Sequence, residues 1–135
     1  MDISLGTAQF GTGYGIANHN KQVQQSVVKE ILDVAWQKNI KHLDTAPTYG
    51  NSHKIIASSE PKLAHFEITT KTISFQKNII ETVDVENLIQ AFSRSLAELN
   101  RPSIDRLLIH QSKDLFKPGG RSLYQAIELL KKKNW

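Results

Sequence analysis

The chain has no cysteine, so neither disulfides nor thiolate metal sites can hold it together, and nothing in it calls for an oxidising compartment. Aromatic residues are only 7% of the total. No basic stripe interleaves with them, which removes the stacking platform that a nucleic-acid surface needs. No window approaches the roughly 18 consecutive apolar residues that would cross a bilayer. The opening Met1-Asp2-Ile3-Ser4-Leu5 has neither the basic nor the long apolar part of a leader, so a cytoplasmic protein is expected. What is present is ordinary for one globular domain: 135 residues, 39% hydrophobic, and a formal charge of +4 from 17 basic and 13 acidic side chains. The lysines are scattered except for Lys131-Lys132-Lys133, which read as a solvated helix end rather than a site for a polyanion.

Short apolar runs alternate with longer stretches of helical period, the pattern of βα units feeding a parallel sheet. Four units can be counted. The first strand lies within Ile3 to Gln9 and leads through a glycine-rich loop to a helix over Ser26 to Lys38, with Val28, Ile31, Leu32 and Ala35 on one face. Ser26 is expected to cap it and Asn39 to end it in the left-handed conformation. The second strand, Ile40 to Asp44, precedes a short helix near Ser52 to Ser59 that Pro61 terminates. The third, Phe66 to Lys71, alternates Phe66, Ile68 and Thr70 against Glu67, Thr69 and Lys71. Asp84 is expected to cap its helix, which buries Leu88, Ala91, Phe92, Ser95, Leu96 and Leu99 and ends near Asn100 before Pro102. The fourth, Asp105 to His110, passes through Pro118-Gly119-Gly120 to a helix bearing Leu123, Ala126, Ile127 and Leu130. Such units build either an open doubly wound sheet or a closed (β/α)8 barrel.

Three of the four expected strands finish on a residue capable of acid–base or electrostatic work: Asp44, Lys71 and His110. Tyr49 lies just past the first. In both parallel architectures the site forms at the carboxyl ends of the strands, so the four share one edge. A free phenol, with a pKa of about 10, is a poor proton donor at neutral pH. A nearby ammonium stabilises the phenolate, a carboxylate keeps that ammonium charged and oriented, and an imidazole adds a donor where negative charge develops. That combination suits protonation of an oxyanion as hydride reaches the adjacent carbon. Gly11-Thr12-Gly13-Tyr14-Gly15-Ile16 starts like a dinucleotide fingerprint, but its third required glycine falls on Ile16. The loop therefore reads as a flexible connection, and the open-sheet reading loses its support.

The successive stretches LGTAQFGTGYGIAN (5 to 18), HLDTAPTYGNS (42 to 52), ITTK (68 to 71), SLAELN with IDRLLIH (95 to 110) and LLKKKN (129 to 134) resemble the ordered landmarks of the aldo/keto reductase family, most closely its bacterial members. The resemblance implies a parallel (β/α)8 barrel and reduction of an aldehyde or ketone by NADPH, or NADH, without a metal. It implies Tyr49 as general acid, Lys71 as the cation beside it, Asp44 as that lysine's partner and His110 as the residue orienting the carbonyl. It also places Gly6, Thr7 and Ala8, with Asp44, near the nicotinamide. The chain departs from the family at His53, where a glutamate is usual, at Ala57, where a glycine is usual, and at Asn39, also a usual glycine; asparagine tolerates the left-handed conformation there.

The largest departure is length, since a whole barrel takes about 250 residues. Residues 1–135 are expected to form one incomplete domain, the N-terminal half of a barrel with about four βα units. The first and fourth strands are then open edges, and the phosphate-binding loops that follow strands seven and eight are missing. Three readings follow: a truncated reductase inactive alone, an enzyme completed by a C-terminal half or a second copy, and a non-catalytic half barrel that binds a partner.

Overall fold

A computed structural model describes residues 3–15, 22–59 and 62–133. Its strands are β1 (Ser4–Gly6), β2 (His42–Asp44), β3 (Glu67–Lys71) and β4 (Arg106–Leu108), and its helices are α1 (Ala8–Gly11), α2 (Gln25–Gln37), α3 (Ser52–Ala57), α4 (Thr82–Leu99) and α5 (Gly120–Lys132). The strands form one parallel sheet in sequence order, β1-β2-β3-β4. Four βα units in a row with each strand beside the next is the arrangement of half a (β/α)8 barrel.

Strand periodicity assigns the two faces of the sheet. Leu43 and Ile68 are fully buried against α2, α3 and the end of α4, in a cluster with Val28, Leu32, Ile56, Phe66 and Leu99. A second cluster, around Leu88, Phe92, Leu123 and Leu130, seats α4 and α5 over β4. The opposite face is polar. His42 pairs in register with Glu67 and Asp44 with Thr69, and Glu67 Oε2 lies 2.7 Å from Arg106 Nη2 and 3.2 Å from His42 Nδ1. Barrel interiors are usually filled by branched apolar side chains. Here the uncovered face carries the Glu67–Arg106 ion pair with His42 beside it, and Leu108 is exposed there.

Several boundaries depart from the sequence-based expectations. The first strand stops at Gly6, and the start of the expected loop is helical as α1. The N-cap of α2 is Gln24 rather than Ser26, and it makes no side-chain cap bond. Asn39 and Asn100 do take positive φ, 60° and 52°, as helix-ending residues. Asp84 does not stand at the cap of α4 but at its third position. Glu81 is the cap, and the two carboxylates each accept the other's backbone N–H, a capping box built from acids alone. Pro61 lies outside the described residues. Two short 3₁₀ turns, Lys62–His65 and Ser112–Phe116, were not foreseen.

Two contacts place the loops above the sheet. Gly11, ending α1, lies against the turn that precedes α3: a methyl built on Gly11 would stand 1.7 Å from the Tyr49 carbonyl oxygen, and one on Gly50, at φ 58°, 2.4 Å from the Gly11 carbonyl. Only glycine allows that approach, so the segment read as flexible is a close-packed support for Tyr49. On the other side, Asp114 is almost fully buried with its Oδ1 2.6 Å from Lys117 Nζ. Lys117 donates to the Phe75 carbonyl at 2.6 Å. This ion pair ties the loop after β4 to the loop after β3.

Gly11→Ala is expected to destabilise the chain by about 1–3 kcal/mol, because backbone must yield to the added methyl; urea unfolding of the two proteins measures it. A second expectation concerns acid. Burial holds His53 below its ordinary pKa of 6.5, opposed by the nearby Glu98 carboxylate. The unfolded chain therefore takes up this proton first as pH drops below about 6.5, and the stability held above that value is lost as pH falls through the lower folded pKa. Chemical denaturation at about pH 7 and about pH 5 should show a smaller acid loss for His53→Gln than for the native chain.

Candidate active site

The sheet ladder runs one residue past each of the first three strands and fixes the start of the loops that follow them. Thr7 N donates to Asp44 O at 2.9 Å, Thr45 N to Thr69 O at 2.9 Å and Thr72 N to Leu108 O at 2.8 Å. Asp44 ends β2 and Lys71 ends β3. Both side chains leave the sheet on the uncovered face, and their charged groups meet. Lys71 Nζ donates to both oxygens of the Asp44 carboxylate, 2.9 Å from Oδ2, and to the Thr45 carbonyl at 3.0 Å. The carboxylate and the carbonyl together anchor the ammonium.

Tyr49 is presented to that ammonium by a tight turn. Its N–H donates to the Ala46 carbonyl at 3.0 Å, and its own carbonyl accepts from Ser52 N at 3.1 Å. Lys71 Nζ stands 5.1 Å from the centroid of the Tyr49 ring, within the range where a cation is attracted to an aromatic face. The structure thus brings Asp44, Tyr49 and Lys71 into one cluster.

His110 is placed differently from the expectation. The fourth strand ends at Leu108, so His110 is not a strand-end residue but lies two positions into the loop. Its N–H donates to Thr72 Oγ1 at 3.1 Å, which fastens it beside the residue that follows Lys71. Its Nδ1 is buried and makes no hydrogen bond among the described residues.

The three residues at the end of β1 divide in role. Gly6 lies in register with Asp44, and a methyl built on it would meet nothing within 4 Å. Open backbone surface therefore adjoins the Asp44–Lys71 pair. Thr7 is fully buried; its hydroxyl donates to the Asp44 carbonyl at 3.0 Å, and Ser52 Oγ lies 3.0 Å from both Thr7 O and Thr7 Oγ1. Its side chain braces β1, β2 and α3 together instead of offering a contact to a ligand. Ala8, half-buried, opens α1.

Sequence reasoning did not find the Thr45 carbonyl, the Thr7–Ser52 brace or the Thr72 hydroxyl. Each acts through backbone placement or through a pairing between distant segments, which no spacing reveals. Among the described residues no group of three or more His, Asp or Glu side chains could hold a metal ion, and no helix is long and apolar enough to cross a membrane.

The chain resembles several solved structures. One, a protein of Pseudomonas aeruginosa assigned to the aldo-keto reductases, superposes with a TM-score of 0.78 at 22% identity, over 96% of this chain and 51% of its own. The holo form of an aldo-keto reductase from Bacillus halodurans gives 0.71 at 17% identity, over 98% and 43%. An aldo/keto reductase from Brucella melitensis gives 0.60 at 24% identity, over 96% and 44%. This chain therefore spans about half the length of each. No curated protein matches the sequence. The profile of the aldo/keto reductase family matches residues 2–133, almost the whole chain, and the chain belongs to that family.

Proposed function

We propose that residues 1–135 are the N-terminal half of a barrel domain that reduces an aldehyde or ketone to an alcohol with NADPH or NADH. The observation that carries this reading is the Lys71 ammonium, pinned by Asp44 and the Thr45 carbonyl against the Tyr49 ring. A charge held this way needs no reorganisation when a neighbouring group changes its own charge, which is the condition for strong electrostatic catalysis.

The residues present fit a nicotinamide cofactor. Gly6 leaves free space at the sheet edge next to Asp44, enough for a flat ring to approach the backbone, and Asp44 would border it. Bound there, the reduced cofactor would supply a hydride to the carbonyl carbon. The chain's own part is to handle the oxygen. Tyr49 gives its proton to the oxygen as negative charge develops, and the alcohol forms. The phenolate left behind is stabilised by Lys71, whose charge Asp44 maintains, and it recovers its proton from solvent. His110, held by Thr72, orients the carbonyl oxygen with an imidazole N–H.

Completion of the site is part of this proposal. The open edges β1 and β4 and the polar side chains of His42, Glu67 and Arg106 would be covered by a C-terminal barrel half, which would also bring the loops for the cofactor's phosphates. A cytoplasmic setting accords with the lack of cysteine.

Titration of NADPH, followed by nicotinamide fluorescence and by melting temperature, tests the reading on the chain alone and after addition of a C-terminal half from a family member. Binding is expected once both halves are present, and its absence under both conditions would leave a truncated inactive reductase or a non-catalytic half barrel. In the completed protein, Tyr49→Phe should lower the rate of carbonyl-dependent NADPH consumption by about 10²–10⁴-fold with cofactor affinity unchanged. Full activity in that variant would remove Tyr49 from the reaction.

A further inference from the structure

The loop after β4 carries His110 and lies beside the loop after β3, residues 72–81. Their polar contacts form a closed circuit that starts and ends at His110. The His110 N–H donates to Thr72 Oγ1 at 3.1 Å. Gln111 leads into the 3₁₀ turn Ser112–Phe116, and its carbonyl accepts from Asp114 N at 2.9 Å. The Asp114 carboxylate then turns back to the other loop, where Phe75 N points at Oδ2 across 3.4 Å. Its Oδ1 is 2.6 Å from Lys117 Nζ, and Lys117 donates to the Phe75 carbonyl at 2.6 Å. Phe75 is thus held at both its N–H and its C=O, and the chain from Phe75 back to Thr72 closes the circuit.

We propose that Asp114 is a positioning residue for His110: with Lys117 it grips the Phe75 backbone, and this grip, together with Thr72, sets where His110 stands beside the strand that carries Lys71. Burial argues for such a geometric use. Asp114 is 1% exposed, and an ion pair taken out of water gains little in stability over apolar side chains of similar size. What the pair adds is direction. A carboxylate and an ammonium that must meet the N–H and the C=O of one residue admit a single register of the two loops. Leu115, packed against the apolar cluster that contains Phe75, holds the loop down without fixing that register.

The other ties between the loops lie farther from the histidine. Ile80 N donates to Pro118 O at 2.8 Å, and a methyl built on Gly119 would stand 2.1 Å from the Ile80 carbonyl oxygen. These fix the far end of the loop. Without the Asp114 carboxylate, the Lys117 ammonium would be left partly buried with no anion beside it. It would turn to water and release the Phe75 carbonyl as well. His110 would then keep Thr72 as its one polar tie to the neighbouring loop.

The value of this placement for orienting a carbonyl rests on the reductase reading, but its test does not. Hydrogen exchange of the folded chain without cofactor, followed by NMR, compares the His110 amide with that of Thr45, which is bonded to Thr69 O within the sheet at 2.9 Å. In Asp114→Ala the His110 amide is expected to exchange about tenfold faster relative to Thr45 than it does in the native chain, and the His110 ring signals are expected to shift. A carboxylate that served only general stability would change both amides in step. That result overturns the proposal, as does a His110 amide whose rate stays constant. Should Asp114→Ala not fold, Lys117→Met, which keeps most of the aliphatic stem and removes the cation, decides the matter by the same comparison. Failure of NADPH to bind would count against the reductase reading and leave these rates untouched.

Discussion

An ammonium anchored by a carboxylate and a backbone carbonyl is a charge fixed in space, and the candidate site is arranged around such a charge. Lys71 cannot leave Asp44 and Thr45 without giving up three hydrogen bonds in a partly buried setting, where leaving a charge unpaired is costly. Other features serve to hold its neighbours against it. Thr7 and Ser52 lock the ends of β1 and β2 to α3, the Gly11 contact presses the Tyr49 turn inward, and Thr72 holds His110 beside the strand that carries the lysine. The chemistry proposed for Tyr49 depends on this rigidity more than on any property of the phenol itself.

The two faces of the sheet divide polar from apolar side chains. A sheet stripped of its facing strands would normally expose a large apolar surface and tend to associate through it. In this chain the inward positions nearest the start of the strands are His42, Glu67 and Arg106, with Glu67 paired to Arg106 and His42 Nδ1 close to both. The apolar burial is concentrated on the helix side, in two clusters that the four βα units complete among themselves. The polar face is thus compatible both with exposure to water and with closure by a second half that offers polar partners.

Helix and strand identities were legible because each depends on local periodicity. The stripe Leu88, Phe92, Ser95 and Leu99 is buried as read, with Ala91 and Leu96 half-buried beside it. Ile68 and Thr70 are buried where alternation put them. Boundaries were less legible. Gly11 was read as loop because glycine is a poor helix former, yet α1 needs a residue without a side chain where it meets the Tyr49 carbonyl, and that demand comes from a segment far along the chain. An aspartate at a helix start commonly caps it, but here the reciprocal Glu81 places the start of α4 one turn earlier.

By itself, then, the order of residues determined four βα units, a parallel sheet and the presence of an acid, a phenol, a cation and an imidazole at the carboxyl ends of the strands or in the loops that follow them. These follow from period and position within single segments, which neighbouring residues along the chain decide. Tertiary structure alone decided that Lys71 is anchored on Asp44 and Thr45, that Thr7 turns into the brace rather than toward a ligand, that His110 hangs from Thr72, and that His53 sits sealed between Thr70 and Glu98. Each of these joins side chains or backbone groups from different βα units, and their meeting depends on the register and packing of the whole sheet, which no stretch of sequence contains.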